Sequence, residues 1–395
     1  MNPAKKTLFT LAAFFIFFVF LVGGWEIYIR LFKAKIMNEM TYYDYRQEDP
    51  LVNHSLKPNS RGVLGSREYR VHYKINSFGC RDNEYPLKHP ENTHRILVVG
   101  DSFAEGYGMD IKDTFIKITE RDWNKNHPGK RIEIINCGVM SYSPILEYIW
   151  LRERGLKLDP DMVALFLDQS DLQDDYIYSK STTFVNDIPQ TVNATGLYTT
   201  QGRNYFNRFD KFLFHHSAFY VYLRHQWINI YEKHVEHKDE KEGPLGKNIV
   251  FGDIETDRLF FLRGNAQDFD AHWQRTSGYL KLISDMLKEK NTAFMLVVYP
   301  YAIQIDGNEW PARGTWGFEE GKIYPPSPYF EKAEEFSQSV GAYYLNLFDA
   351  LYSYKKGHPG EKLYFDLDGH WTKPTHKLIA EEFTRYLSSI NDFNN

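Results

Sequence analysis

A serine in the first third of the chain and an acid–histidine pair near its end stand in contexts that suit acyl transfer. Ser102 lies in VVGDSFAEGYG, Val98–Gly108, two residues beyond an apolar run and just before a helical stretch. A serine so placed sits at the carboxyl edge of a parallel sheet, where open α/β folds bind ligands. The helix that follows offers unpaired N–H groups and a positive dipole end to an oxyanion. Asp-Ser after a strand is also an ordinary helix N-cap, so this motif alone leaves catalysis and capping both open. The second segment is FDLDGHWTKPTHKLIAEEF, Phe365–Phe383. A serine nucleophile needs a base within hydrogen-bond reach, and the base needs a carboxylate to fix its tautomer. Asp368 and His370 are two residues apart, so in extended backbone they share a face. An Asp-Gly turn with a surface histidine is the plainer alternative.

These residues need a scaffold, and the hydrophobic pattern describes one. Short apolar runs occur at Arg95–Val99, Ile132–Ile135, Met162–Leu167, Ala293–Tyr299 and Ala342–Leu347. Helical periodicity lies between several of them, at Thr114–Trp123, Ile145–Leu156 and Tyr279–Leu287. Buried strands alternating with helices imply parallel pairing through right-handed crossovers. The expected fold is a three-layer α/β/α sandwich around a five-stranded parallel sheet. Between about 176 and 270 the alternation lapses, which reads as a large insertion. Residues 30–92 read as a polar, turn-rich extension, and 93–390 as the catalytic domain containing that insertion.

Composition narrows the class. Fifty-two acids against 47 bases leave a net charge of −5 over 395 residues, not the basic excess of a nucleic-acid binder. Two cysteines exclude a disulfide framework and a four-cysteine zinc site. Aromatic residues are abundant at 16%, and six phenylalanines fall between Phe9 and Phe20. They belong to TLFTLAAFFIFFVFLVGGW, Thr7–Trp25, 19 residues without a charge. A helix of that length spans about 28 Å, close to the hydrocarbon thickness of a bilayer. Residues 1–6 then form a short tail and 7–29 an uncleaved transmembrane signal anchor, with Trp25 and Tyr28 at interface depth. Gly23 and Gly24 leave signal cleavage as an alternative, although no A-x-A pattern precedes them. Lys5 and Lys6 on one side face Arg30, Lys33 and Lys35 on the other, so charge does not decide orientation. The expectation is a single-pass protein with its catalytic domain exocytoplasmic, on the periplasmic side of a bacterial inner membrane.

Taken in order, the segments resemble the SGNH/GDSL hydrolase superfamily. GDSF at Gly100–Phe103 matches its first block, with Ser102 at the nucleophile position. NCGVMSYSP, Asn136–Pro144, resembles the second block, whose glycine, here Gly138, lends its N–H to the oxyanion hole. DGHW, Asp368–Trp371, resembles the last block, which carries the acid and the histidine. INSFGCRD, Ile75–Asp82, is similar to a segment that precedes the first block in many membrane-anchored bacterial members. The resemblance implies a triad of Ser102, His370 and Asp368, with an oxyanion hole from the N–H groups of Ser102 and Gly138 and a third donor. It implies no metal and no cofactor.

Two departures from the family pattern matter. Where the family has an oxyanion asparagine, this chain has Ser170 in FLDQSDLQDD, with Gln169 beside it. A serine hydroxyl is a single donor on a free rotor and should organise an anion less firmly than an amide. The family's commoner acid position, three residues before the histidine, is Leu367 here. Asp368 is therefore the expected triad acid and Asp366 the alternative.

The implied activity is a serine esterase or acyltransferase acting on O-acyl groups, O-acetyl first among them, of a cell-envelope or exported glycan or a small ester. A multi-pass membrane acyltransferase is an expected partner. The rival is a catalytically impaired glycan-binding or scaffold protein beside such an acyltransferase. Other signals have plainer explanations. His215, His216, His225, His234 and His237 read as a solvated face rather than a metal site. Cys137 reads as a small buried residue ending a strand, with a Cys80–Cys137 disulfide the lesser alternative if the domain is exported. Tyr176, Tyr178, Tyr198, Tyr205, Phe206 and Trp227 in the insertion read as packing first and sugar stacking second.

Overall fold

The computed structural model describes residues 3–33, 45–194, 208–236, 242–243, 246–247 and 250–390. Each of the five apolar runs forms a strand of one parallel sheet. Across the sheet they run Tyr343–Asn346, Ala293–Val298, Met162–Leu167, Thr93–Gly100 and Arg131–Asn136. Counted by appearance in the chain this is the doubly-wound order 2-1-3-4-5, whose switch point lies between the first and third strands. Both faces of the sheet are buried, and successive side chains alternate between them. Leu97, Val99, Leu165 and Val298 join one core, while Ile96, Val98, Phe166 and Val297 join the other. Burying each such side chain stabilises the fold by about 1.5–3 kcal/mol.

Helices Phe115–Asn126 and Lys373–Ser389 pack together on one face. Helices Pro144–Glu153, Phe269–Glu289 and Tyr329–Val340 pack on the other. The expected three layers are therefore present. Ahead of the sheet, residues from Tyr45 onward form two antiparallel hairpins, Arg46–Asp49 with Asn53–Leu56 and Arg61–Gly65 with Arg70–Lys74. Between 176 and 270 lie a hairpin, Thr182–Val185 with Ile188–Val192, and two helices, Arg208–His216 and Ala218–Glu236. At the N-terminus, Pro3–Phe32 is one helix, long and apolar enough from Lys5 to Phe32 to cross a membrane.

One reading needs correction. Cys137 does end its strand as a buried residue, but it is bonded to Cys80 in a disulfide. The pairing follows from the way INSFGCRD docks. Asn76 accepts the N–H groups of Phe78 and Cys80, and Asp82 accepts the N–H of Asn136 at 2.9 Å, which brings Cys80 to the end of that strand. The disulfide closes a loop of 57 residues, a constraint on the unfolded chain of about 4 kcal/mol in the chain-entropy picture.

Candidate active site

The site lies at the carboxyl ends of the first and third strands, the switch point of the sheet. Gly100 ends the first strand with φ +148°, where a Cβ would lie 2.9 Å from the Phe166 carbonyl oxygen. Asp101 then caps the short helix Ser102–Glu105 by accepting the Phe103 N–H at 2.8 Å. This cap places Ser102 on the first turn, where a backbone N–H has no acceptor within the helix. The C-terminal segment reaches the same point through a turn. Phe365 N–H donates to the His370 carbonyl at 2.8 Å, and Tyr364 bridges to Trp371.

His370 Nε2 lies 2.8 Å from Ser102 Oγ. Its ring is held between Phe103 and Tyr107, at centroid distances of 4.8 and 4.6 Å. Asp368 Oδ1 stands 3.4 Å from His370 Nδ1, an ion-pair distance that is not aligned as a hydrogen bond, and accepts the His370 N–H at 3.0 Å. The backbone between them is not extended, because Gly369 has φ +75°. The carboxylate reaches the imidazole by folding back around a turn, not by sharing a strand face. Asp366 pairs instead with Lys362 at 2.9 Å. Burial would raise the Asp368 carboxyl, but the His370 charge and hydrogen bonds from His370 and Tyr69 outweigh it and hold the group below its usual range. The arrangement can draw a proton from Ser102 to an imidazole whose charged form has a carboxylate partner.

The extension supplies groups that the sequence did not point to. The Tyr69 hydroxyl donates to Asp368 Oδ2. Next to it Glu68 accepts the N–H groups of Asp366 at 2.7 Å and Leu367 at 2.9 Å, clamping the turn that carries the acid. Arg81, buried, donates to the carbonyls of Glu105, Gly106 and Met109 at and just after the end of the Ser102–Glu105 helix. Arg46 binds Glu105 at 2.8 Å, and Glu105 also accepts the Met140 N–H at 2.7 Å. Tyr69→Phe should lower kcat/KM about 10- to 100-fold, the worth of one hydrogen bond to a charged group. With that bond gone the Asp368 carboxyl rises, so the acid limb of the pH profile should move to higher pH. An unmoved limb with an unchanged rate would show that Tyr69 does not act on the acid.

The proposed oxyanion groups are less simply arranged. A Cβ on Gly138 would lie 2.4 Å from Glu105 N and 2.6 Å from Ala104 C, so only glycine lets this loop rest on the Ser102–Glu105 helix. The Gly138 N–H donates to Asn136 Oδ1 at a long 3.2 Å, which an anion would have to displace. Ser170 follows the third strand at the same sheet edge, its N–H donating to Asp168 Oδ1 at 2.8 Å and its hydroxyl beside the Tyr301 phenol. Gln169, the other candidate donor, is turned away. Its amide nitrogen donates to Gln304 at 2.7 Å, and its oxygen accepts from Gln304 and Ser327.

Beneath the site lies a set of buried acids. Burial, the Asp168 charge and a hydrogen bond with Asp168 push the Asp101 carboxyl well above its usual range. Tyr299 and Tyr301 donate to Asp168 Oδ2 at 3.3 and 2.8 Å. Farther in, burial pushes Asp175 up to about 7, against the hydrogen bond it accepts from the Ile145 N–H. A carboxyl raised above its unfolded value of about 4 contributes most stability below that pH and loses it as pH rises through 7. The melting temperature of Asp175→Asn should therefore fall less than that of the unmodified protein between pH 5 and pH 8. Parallel melting curves for the two proteins would contradict this.

Among the described residues no cluster of His, Cys, Asp or Glu is arranged to hold a metal ion. Of the insertion's aromatics, Tyr178 is buried, Tyr176 is half-buried with its hydroxyl on Glu255, and Trp227 is exposed. Tyr198, Tyr205, Phe206 and His237 lie outside the described residues.

No protein-family model matches the chain, and no curated protein matches it. Several solved structures are similar. A candidate GDSL-like lipase from Parabacteroides merdae matches at 11% identity and a TM-score of 0.39, covering 77% of this chain and 99% of its own. An acetylxylan esterase from Geobacillus stearothermophilus matches at 10% and 0.39, covering 75% and 95%. A psychrotrophic esterase from a Pseudoalteromonas species matches at 12% and 0.37, covering 76% and 100%. At such identities and scores the likeness reaches no further than the general fold.

Proposed function

We propose that this chain is a membrane-anchored serine esterase or acyltransferase of SGNH/GDSL type. Its substrates would be O-acyl groups, O-acetyl first among them, on a cell-envelope or exported glycan. The observation that carries the reading is the 2.8 Å contact between His370 Nε2 and Ser102 Oγ, with Asp368 behind the imidazole. In this reading Ser102 Oγ attacks the ester carbonyl as His370 takes its proton. The oxyanion develops against the N–H groups of Ser102 and Gly138, with Ser170 as third donor. Collapse breaks the ester bond, and His370 returns the proton to the departing alcohol. Water or a sugar hydroxyl, deprotonated by His370, then attacks the acyl-serine and frees Ser102.

The exocytoplasmic placement is supported by the apolar Lys5–Phe32 helix together with the Cys80–Cys137 disulfide, since such bonds persist mainly in oxidising compartments. The glycan is supported by the family resemblance and by that placement. A multi-pass membrane acyltransferase is the partner such a location would favour. One observation favours the impaired-scaffold alternative. The third oxyanion position holds a serine, and the neighbouring amide of Gln169 is committed to Gln304. Incubating the purified full chain with O-acetylated glycan tests the reading. Release of acetate, or its transfer to an acceptor sugar, supports an enzyme and separates hydrolysis from transfer. Intact substrate alongside tight glycan binding supports the scaffold.

A further inference from the structure

The insertion helices begin where the apolar helix leaves its uncharged run. Glu26, the first charged residue after Trp25, accepts the N–H groups of Ala218 and Phe219, both at 2.8 Å, and the Ser217 hydroxyl at 3.0 Å. It thereby caps the Ala218–Glu236 helix from the end of the membrane-length segment. Arg30 adds a bond to the His216 carbonyl at 3.1 Å, and the Phe219 ring lies 6.3 Å from Trp25. The start of this helix is thus pinned against the end of the uncharged run of the Pro3–Phe32 helix.

The two helices present apolar side chains outward. At 100° per residue, Phe214 and Val221 mark the inner faces, and both pack with Val63 of the extension. Phe209 and Phe212 fall on the opposite side of Arg208–His216, 67% and 55% exposed. Phe219, Leu223 and Trp227 recur every fourth residue on the outer side of Ala218–Glu236, and the last two are 49% and 70% exposed. The row begins against Trp25 and continues along the helix. Large apolar patches of this kind are unusual on surfaces bathed only by water.

We propose that the Arg208–His216 and Ala218–Glu236 helices lie in the headgroup–acyl boundary of the bilayer crossed by the Pro3–Phe32 helix. They form a second membrane contact that fixes the height and tilt of the domain carrying Ser102. This contact depends on the anchor crossing a bilayer and not on the esterase reading. Helices that lie in this boundary bury their apolar side chains about 5–10 Å into the interface.

The chain has no free cysteine, since its two are joined, so single cysteines can be introduced and labelled with an environment-sensitive nitrobenzoxadiazole dye. The full chain is reconstituted in phosphatidylcholine vesicles containing doxyl-labelled lipid. Leu223→Cys and Trp227→Cys are compared with Phe17→Cys within the anchor and Ser339→Cys on an exposed helix of the sheet domain. Dye at 223 and 227 should be quenched by shallow doxyl groups at least about twofold more than dye at 339, with blue-shifted emission. Quenching at 17 but not at 223 or 227 would overturn the second contact and leave the anchor standing. No quenching at 17 would remove both.

Discussion

Replacing His370 with alanine is expected to lower kcat on a small ester by about 10⁴–10⁶-fold, the scale on which loss of the base disables a serine triad. Ser102 is an alcohol that is almost wholly protonated at neutral pH, and His370 Nε2, at 2.8 Å, is placed to take its proton. Asp368 cannot substitute, because its near oxygen faces Nδ1 on the other side of the ring. KM should change little, since the imidazole acts on the proton and not on the ground-state ester. The fold should survive. The His370 side chain is partly exposed between Phe103 and Tyr107, and shortening it opens a gap toward solvent, not a sealed cavity. Steady-state rates on p-nitrophenyl acetate, with melting curves for both proteins, check this. Activity within tenfold of the unmodified protein would show that proton transfer takes another route.

Gly138→Ala should combine a loss of rate with a loss of stability. The new methyl would meet Glu105 N at 2.4 Å and Ala104 C at 2.6 Å, both backbone atoms of the Ser102–Glu105 helix. No side-chain rotation relieves such a contact, so the loop and the helix must part. Displacing reacting groups by about 1 Å, or misaiming one oxyanion donor, costs roughly 10²–10³ in kcat. Forcing a methyl into a packed site costs about 1–3 kcal/mol of stability. Gly129→Ala is the internal control, because a Cβ there meets nothing within 4 Å. Equal activity and melting temperature in the two variants would mean that the Gly138 loop does not rest on the helix as described.

The sheet was legible because its strands are buried on both faces. Runs such as Met162–Leu167 are continuously apolar, and helical periodicity between them leaves parallel pairing as the physical solution. The GDS and DGH segments are legible only in order and together, through the family resemblance, since each alone reads equally as a helix cap or a plain turn. Tyr69 and Glu68 were not, since they touch Asp368 and its loop from about 300 positions away, in a polar segment without periodicity. No local pattern announces a contact of that kind. The Cys80–Cys137 bond was obscured for a related reason. Two cysteines read in isolation look like packing residues until the Asn76 and Asp82 side chains bring them together. Asp368 and His370 lie side by side through a turn at Gly369, not through the extended backbone that their two-residue spacing suggests.

The central claim is that Ser102 is an activated nucleophile, and a fluorophosphonate tests it most directly. Treated with such a probe, the folded full chain should acquire one phosphonyl adduct on the peptide carrying Ser102. Ser102→Ala and His370→Ala should acquire none in the same time. A folded, unmodified chain that stays unlabelled, or a Ser102→Ala variant that labels equally, would contradict the account.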